Sequence, residues 1–197
     1  MRFVFVHIQK TGGDSVRSAL GLPVTGRTKH FSASEHLGRI GVEAWGSSFS
    51  FSFVRNPWDR LVSWWAMMRR IRRENPEGRG LNPFAKYILD NSDTFEEFLS
   101  CDEVMDLPDG ARSLWRNQYD YLTGPDGSMI VSFVGRFERI ESDFEKVARI
   151  IGRDAKVPHV NKSHHDHYSS YYTPTLARIV GERFARDVEA FGYGFEG

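Results

Sequence analysis

The chain has 197 residues, 40% of them hydrophobic, which is enough to bury a core, so we expect a single domain over residues 1–197. Lysine and arginine number 26, as do aspartate and glutamate, and this balance disfavours generic nucleic-acid binding. The lone Cys101 excludes an internal disulfide. A core strand near the first residue leaves no room for a signal peptide, and no apolar run reaches membrane-spanning length. We therefore expect a cytoplasmic protein without a membrane span.

The first predicted element is a strand over residues 3–8, an apolar run without strict alternation. Four residues then form a turn: Lys10, Thr11, Gly12 and Gly13. A short helix is predicted over residues 14–20. A strand, a glycine turn and a helix N-terminus present backbone N–H groups that suit a phosphate or sulfate. Lys10, Thr11 and Ser15 add a cation and two hydroxyls, although an ordinary turn with a solvated lysine is the simpler alternative.

This turn is not a Walker A loop, in which the lysine follows the glycines. Here Lys10 precedes both glycines. A nucleotide-dependent kinase or ATPase of similar fold would need that lysine and a metal-binding aspartate at a strand end. Neither feature is apparent, so a kinase is the alternative enzyme rather than the favoured one.

A second stretch that could bind an anion follows a strand predicted over residues 48–54, in which phenylalanine alternates with serine. Asn56 suits a helix N-cap and Pro57 suits the first helical position. Ser63 lies two turns into this helix, outside its apolar stripe. Because open α/β sheets bind ligands where strands end, Arg55 and Ser63 could hold one anion between them.

The rest of the chain continues to alternate strands with helices. The predicted elements are helices opened by capping boxes at Ser32 and Thr94, a strand over residues 129–134, a helix capped by Ser142, and a last helix from Thr173 to Gly192. This alternation implies an α/β fold with a parallel sheet covered by helices on both sides.

Two polar segments allow more than one interpretation. Residues 158–168 hold four of the chain's seven histidines, but their spacing matches no zinc signature, so we expect a mobile polar loop rather than a metal site. Four arginines end the helix that begins at Pro57: Arg69, Arg70, Arg72 and Arg73. A solvated helix end is the simpler interpretation of this run, and acceptor binding is the alternative.

Taken together, the two anion-binding stretches resemble those of sulfotransferase family 2. The similarity rests on residues 7–15, His-Ile-Gln-Lys-Thr-Gly-Gly-Asp-Ser, and on residues 53–63, Phe-Val-Arg-Asn-Pro-Trp-Asp-Arg-Leu-Val-Ser. Supporting segments are residues 29–33, 135–138, 161–163, 171–172 and 191–195. The sequence departs from the family's common pattern at Gln9, where proline is usual, and at Asp14, where serine or threonine is usual.

This resemblance implies a three-layer, P-loop NTPase-like sulfotransferase fold and 3′-phosphoadenosine 5′-phosphosulfate (PAPS) as the donor, without a metal. By this resemblance, the donor's 5′-phosphosulfate is bound by Lys10, Thr11, Gly12, Gly13 and Ser15, and Asp14 belongs to the same donor-binding loop. The resemblance assigns Arg55 and Ser63 to the 3′-phosphate and places Lys162 in the donor site. The implied reaction is in-line transfer to an acceptor hydroxyl, expected to belong to a carbohydrate. A non-catalytic nucleotide-binding module is the alternative from another functional class.

Transfer to a hydroxyl needs a general base, and three early histidines are candidates. His7 lies in the first strand, where we expect a hydrogen-bonded core histidine, and His36 would project from a helix. His30 precedes the Ser32 cap, where the positive helix end should keep the imidazole neutral. The segment around His30 also resembles the place where the family carries its base. We therefore predict that His30 is the base and that Lys10 stabilises the leaving phosphate.

Overall fold

The computed structural model describes residues 1–23, 28–81, 83–101, 114–158 and 166–196. They form two compact units, which we describe separately. Unit 1 comprises Met1–Asn56 and Asn117–Lys162, and unit 2 comprises Pro57–Arg116 and Ser163–Gly197. That the two units together make one domain stays a prediction.

The described residues contain three strands and a series of α-helices. The strands are β1 (Phe3–Val6), β2 (Phe49–Val54) and β3 (Phe133–Arg136). The helices are α1 (Gly13–Ala19), α2 (Ala33–Ile40), α3 (Val42–Gly46), α4 (Pro57–Glu74), α5 (Pro83–Asn91), α6 (Phe95–Ser100), α7 (Ile140–Ile151), α8 (Pro174–Arg183) and α9 (Ala185–Phe191).

Unit 1 is built on a parallel sheet of the three strands in the order β1, β2, β3. Phe5 lies opposite Phe51, and Phe51 lies opposite Phe133, so the phenylalanines of neighbouring strands share one face. Val16 of α1 and Phe144 of α7 pack on that face. The parallel sheet flanked by helices confirms the predicted α/β class.

The third strand lies further along the chain than predicted. Met129 pairs with Thr123 in an isolated antiparallel bridge, and the Ile130 N–H donates to the Leu122 carbonyl, so this stretch closes a turn instead of extending the sheet. β3 begins at Phe133 and includes Gly135, where an added Cβ would lie 2.5 Å from Cε1 of Phe53. The glycine therefore admits the Phe53 ring beside the strand.

Helix α4 is the centre of unit 2 and begins at Pro57, as predicted. Its predicted apolar stripe is buried: Trp58, Leu61, Val62, Trp65 and Met68. These residues pack with buried residues of α5, α6 and α8 in one hydrophobic cluster. The Trp58 indole N–H also donates to the Ala177 carbonyl of α8 at 2.8 Å. Helix α4 is therefore joined to α8 by both apolar packing and a buried hydrogen bond.

The arginine run at the end of α4 is partly used within unit 2. The guanidinium of Arg72 donates to the carbonyls of Leu89 and Ser92 and to the carboxylate of Asp93. Arg69 lies over the ring of Trp65 at 5.5 Å. The contacts of Arg72 tie α4 to the end of α5, so part of the run has a structural role that neither interpretation of the sequence included.

Helix termini follow the predicted capping signals in most cases. Ser32 with Glu35, and Thr94 with Glu97, form complete capping boxes, while Thr173 caps α8. The predicted Ser142 cap is wrong, because α7 begins at Ile140 and the Ser142 hydroxyl donates to the Arg139 carbonyl. The single predicted C-terminal helix is divided into α8 and α9 at Phe184.

No helix in the described ranges combines the length and the apolar composition needed to cross a bilayer.

Candidate functional site

The loop between β1 and α1 in unit 1 contains the first predicted anion-binding residues. Lys10 has a φ of 67° and Gly12 a φ of 80°, so two residues of this tight turn are left-handed. Thr11 is fully buried, and its hydroxyl donates to the Ile8 carbonyl at 2.9 Å. Gly12 is the N-cap of α1, and Ser15 lies within the first turn of that helix. The turn therefore leads directly into a helix N-terminus, where backbone N–H groups favour an anion.

Both glycines of this loop are required by close packing. A Cβ at Gly12 would lie 2.5 Å from Cδ1 of Ile140 and 3.1 Å from Cδ2 of Phe137. A Cβ at Gly13 would lie 1.9 Å from Cδ2 of His7. Because real Cβ atoms do not approach other atoms so closely, a larger residue at either position would require the neighbouring side chain or the loop to shift.

Arg55 directly follows β2 and reaches the same loop. Its guanidinium Nη1 donates to the backbone carbonyl of Lys10 at 3.1 Å. The Cζ of the same guanidinium lies over the Phe137 ring, 4.0 Å from the centroid. The Arg55 backbone is bonded on both sides to Gln118, whose side-chain oxygen accepts at 2.8 Å and whose side-chain nitrogen donates at 2.7 Å. The side chain is only 4% exposed, so the arginine is held in place by its surroundings.

His30 lies against the end of β1. Its Nδ1 is 3.1 Å from the His7 carbonyl oxygen, and the two rings are 4.6 Å apart between centroids. Because a carbonyl can only accept, Nδ1 carries the hydrogen and Nε2 carries the lone pair of the neutral ring. Burial, the largest influence, and the nearby charges of Lys29 and Arg17 lower the pKa of His30, while the His7 carbonyl and Asp14 oppose this shift. The ring is therefore neutral near pH 7.

The other two candidates for the general base, His7 and His36, are also partly or fully buried. His7 is 3% exposed, and burial, then the charges of His30, Lys29 and Arg17, lower its pKa to about 2. The prediction of a core position for His7 is confirmed, but its Nδ1 has no hydrogen-bond partner, contrary to the expected satisfied ring. Burial also lowers the pKa of His36, whose Nε2 likewise has no partner.

Asp14, which departs from the family's common pattern, is paired with a cation. Its carboxylate lies 2.7 Å from Nζ of Lys29, the residue before His30 in the chain. The Asp14 side chain is 61% exposed, so the pair is at the surface. The negative charge that could repel an anionic ligand is therefore partly neutralised inside the same loop region.

The sequence motifs are brought together within unit 1 only in part. The loop of residues 10–15, His30 and Arg55 all belong to this unit. Ser63 is 2% exposed on α4 in unit 2, so its predicted partnership with Arg55 stays a prediction. Lys162 lies outside the described residues, as do three of the four histidines of the polar segment: His159, His164 and His165.

Three residues of the site were not predicted. Phe137 contacts both Arg55 and Gly12, Gln118 holds the Arg55 backbone, and Lys29 pairs with Asp14. Phe137 and Lys29 lie within segments that supported the family resemblance, so those segments gave a usable signal. Nothing local distinguishes Gln118, which acts across 63 residues of sequence.

No group of three or more histidine, cysteine, aspartate or glutamate side chains suited to a metal ion occurs among the residues whose structure is described. His167, the described histidine of the polar segment, has its Nδ1 2.9 Å from the hydroxyl oxygen of Ser169.

Comparisons with known proteins identify the family of this chain. A model of the sulfotransferase family matches residues 2–194, nearly the whole chain. The chain is also similar to carbohydrate sulfotransferase 10 of Xenopus laevis, with 27% identity over 202 residues. That similarity covers 88% of this chain and 53% of the relative, so the chain spans about half the length of that protein.

Proposed function

Because this chain belongs to the sulfotransferase family, we propose that it transfers a sulfuryl group from PAPS to an acceptor hydroxyl. The observation that best supports this proposal is the hydrogen bond from Arg55 to the Lys10 carbonyl, which joins two motifs 45 residues apart. The arrangement puts a guanidinium beside a turn suited to phosphate, and PAPS carries anionic groups at both ends of its ribose.

The donor would be bound through charge and through backbone N–H groups. Lys10 and the start of α1 suit the 5′-phosphosulfate, while Arg55 supplies a fork of donors suited to the 3′-phosphate. The hydroxyl of Ser63 on α4 would donate a further hydrogen bond to the 3′-phosphate. The 3′-phosphate distinguishes PAPS from ATP, so Arg55 and Ser63 would make the site selective for the bisphosphorylated nucleotide.

His30 would act as the general base through Nε2. It takes the proton of the acceptor hydroxyl while the acceptor oxygen forms a bond to sulfur. The bond from sulfur to the bridging oxygen of the donor breaks, and 3′-phosphoadenosine 5′-phosphate (PAP) leaves with the electron pair. Lys10 would stabilise the negative charge that grows on the leaving phosphate. The products are a sulfate ester, PAP and protonated His30.

A carbohydrate is the proposed acceptor, and the similarity to carbohydrate sulfotransferase 10 of Xenopus laevis supports this choice. A small-molecule hydroxyl and a peptide tyrosine are the other acceptors to be tested. The matched assay offers each acceptor with labelled PAPS, once with wild-type protein and once with His30→Ala. Label appearing in a sugar with the wild-type protein only is the expected result.

Two further results would choose between this proposal and its alternatives. We expect PAP to bind more tightly than ATP in calorimetry, and the reverse order would favour a kinase of similar fold. Tight PAP binding without transfer to any acceptor would favour a non-catalytic nucleotide-binding module. We also propose that turnover is unchanged by EDTA, and a loss that magnesium or zinc restores would reject the metal-free mechanism. A cytoplasmic location likewise stays a proposal.

A further inference from the structure

Lys10 has an unusual backbone conformation. Among the non-glycine residues that the structure describes, only Lys10 has a positive φ. The left-handed region is unfavourable for a side chain with a Cβ, and such conformations persist only where the surroundings impose them. A specific contact must therefore hold the loop in this form.

Arg55 provides such a contact. Its Nη1 donates to the Lys10 carbonyl, on the peptide that follows the left-handed residue. The guanidinium itself cannot easily move, because it is buried and stacked on Phe137 while Gln118 holds the backbone. The Phe137 ring also lies close to Gly12, where an added Cβ would be 3.1 Å from Cδ2 of the ring. Arg55 and Phe137 thus support the loop at two points.

We propose that Arg55 is a positioning residue for the Lys10 loop, so that it organises the 5′ end of the donor site even when no 3′-phosphate is present. The inference rests on the proposed function only for the identity of the nucleotide. It differs from a role in which Arg55 merely contacts the 3′-phosphate. In that simpler case, a nucleotide without the 3′-phosphate would be indifferent to the arginine.

The first test uses the ligand-free protein and is independent of any nucleotide. Hydrogen exchange is measured at the amides of residues 9–13 in wild type, Arg55→Ala, Arg55→Lys and Ser63→Ala. We expect exchange in the loop to rise roughly tenfold in Arg55→Ala, as one charge-assisted hydrogen bond is lost. Arg55→Lys should lie between wild type and Arg55→Ala, and Ser63→Ala should match wild type. Unchanged exchange in β2 and α7 of the same unit confirms that the variants are folded.

The second test compares two nucleotides by calorimetry. PAP carries the 3′-phosphate and adenosine 5′-phosphate (AMP) does not. We expect Arg55→Ala to weaken the binding of both nucleotides, AMP by about fivefold or more and PAP by at least tenfold. Ser63→Ala should weaken PAP alone.

The outcomes separate this inference from the proposed function. If Arg55→Ala leaves both the loop exchange and the AMP affinity unchanged while PAP binding falls, the positioning role is wrong and the function stands. If the wild-type protein binds neither nucleotide but the loop exchange still responds to Arg55→Ala, the positioning role stands and the proposed function fails.

Discussion

The imidazole of His30 donates its Nδ1 hydrogen to the backbone carbonyl of His7, at 3.1 Å. This contact fixes the ring at the end of β1 and leaves Nε2 as the nitrogen that can accept a proton. Because the acceptor is a backbone carbonyl, substituting the side chain of His7 would not remove this hydrogen bond. The role of His30 is therefore tested by substituting His30 itself.

Replacing His30 by alanine should lower kcat by about a hundred- to ten-thousandfold, the usual contribution of a general base. The affinity for PAP should change little, because the base would act on the acceptor. Steady-state kinetics and calorimetry on the same preparations measure the two effects. His36→Ala is the matched control, since His36 is also a partly buried histidine with a lowered pKa.

The dependence of kcat/KM on pH gives an independent check of the same residue. Burial lowers the pKa of His30 in the ligand-free protein below the ordinary value of 6.5. A base must be unprotonated, so kcat/KM should stay level from pH 7 to about 6.5 and fall only at lower pH. Near-normal turnover in His30→Ala together with an inactive His36→Ala would move the base to α2.

The stability of the protein should fall as the pH is lowered below 6.5, because His7 is buried in its neutral form. Its pKa is about 2 in the folded protein and about 6.5 when unfolded. Between these values the unfolded state binds more protons, so each pH unit removes at most about 1.4 kcal/mol per histidine from the free energy of unfolding. Denaturant titrations between about pH 6 and 4.5 measure this slope, to which carboxylates contribute only near the acid end.

His7→Gln is the variant that assigns this slope, because glutamine does not titrate. Between about pH 6 and 4.5, we expect the free energy of unfolding to depend less steeply on pH than in the wild-type protein. The difference in slope should correspond to at most one proton bound on unfolding. His30 and His36, whose pKa values are also lowered by burial, should account for the slope that remains. An equal slope in His7→Gln and wild type would show that His7 is not the titrating group.

Gly13→Ala should destabilise the fold by about 1–3 kcal/mol, as overpacking of a close contact usually does. The new Cβ would lie 1.9 Å from the His7 ring, so the ring or the loop must move. Gly38→Ala is the control, because Gly38 lies within α2 and nothing surrounds its Cβ position within 4 Å. That change should stabilise by about 0.5–1 kcal/mol. Chemical denaturation of both variants measures the difference, and equal stabilities would contradict the close approach.

Asp14→Asn should strengthen PAP binding by about two- to fivefold at low salt. The substitution removes a negative charge from the loop and releases Lys29 from its ion pair. The gain should shrink as salt is added, because the pair is exposed and its field is screened. Asp90→Asn is the control, since Asp90 forms a surface pair with Lys86 at 3.0 Å in unit 2. Weaker PAP binding in Asp14→Asn would show that the carboxylate supports the donor site.

The features predicted correctly from the sequence depend on neighbouring residues. The capping boxes at Ser32 and Thr94 and the start of α4 at Pro57 each use signals within four residues. The turn between β1 and α1 was predicted for the same reason, because its lysine and both glycines lie within four residues. Such local patterns need no knowledge of the distant chain.

The features that were missed depend on contacts between distant residues. The position of β3 follows from the Phe53 ring against Gly135, and the division of α8 from α9 occurs at Phe184, which is buried near Trp115. The left-handed Lys10 is held by an arginine 45 residues away. These determinants have no periodicity or spacing that sequence patterns detect.

The pairing of the strands has a consequence for how the protein folds. Ser52 of β2 bonds to Val6 across 46 residues, and Ser50 lies beside Ser132 across 82 residues. Closing such long loops costs conformational entropy before the contacts between the strands can form and stabilise the sheet. Folding of unit 1 should therefore be slow compared with a helical bundle of similar size. Phe137, which supports the Lys10 loop, follows the last of these strands. A nascent chain that has not yet released residue 137 from the ribosome would therefore lack an ordered Lys10 loop.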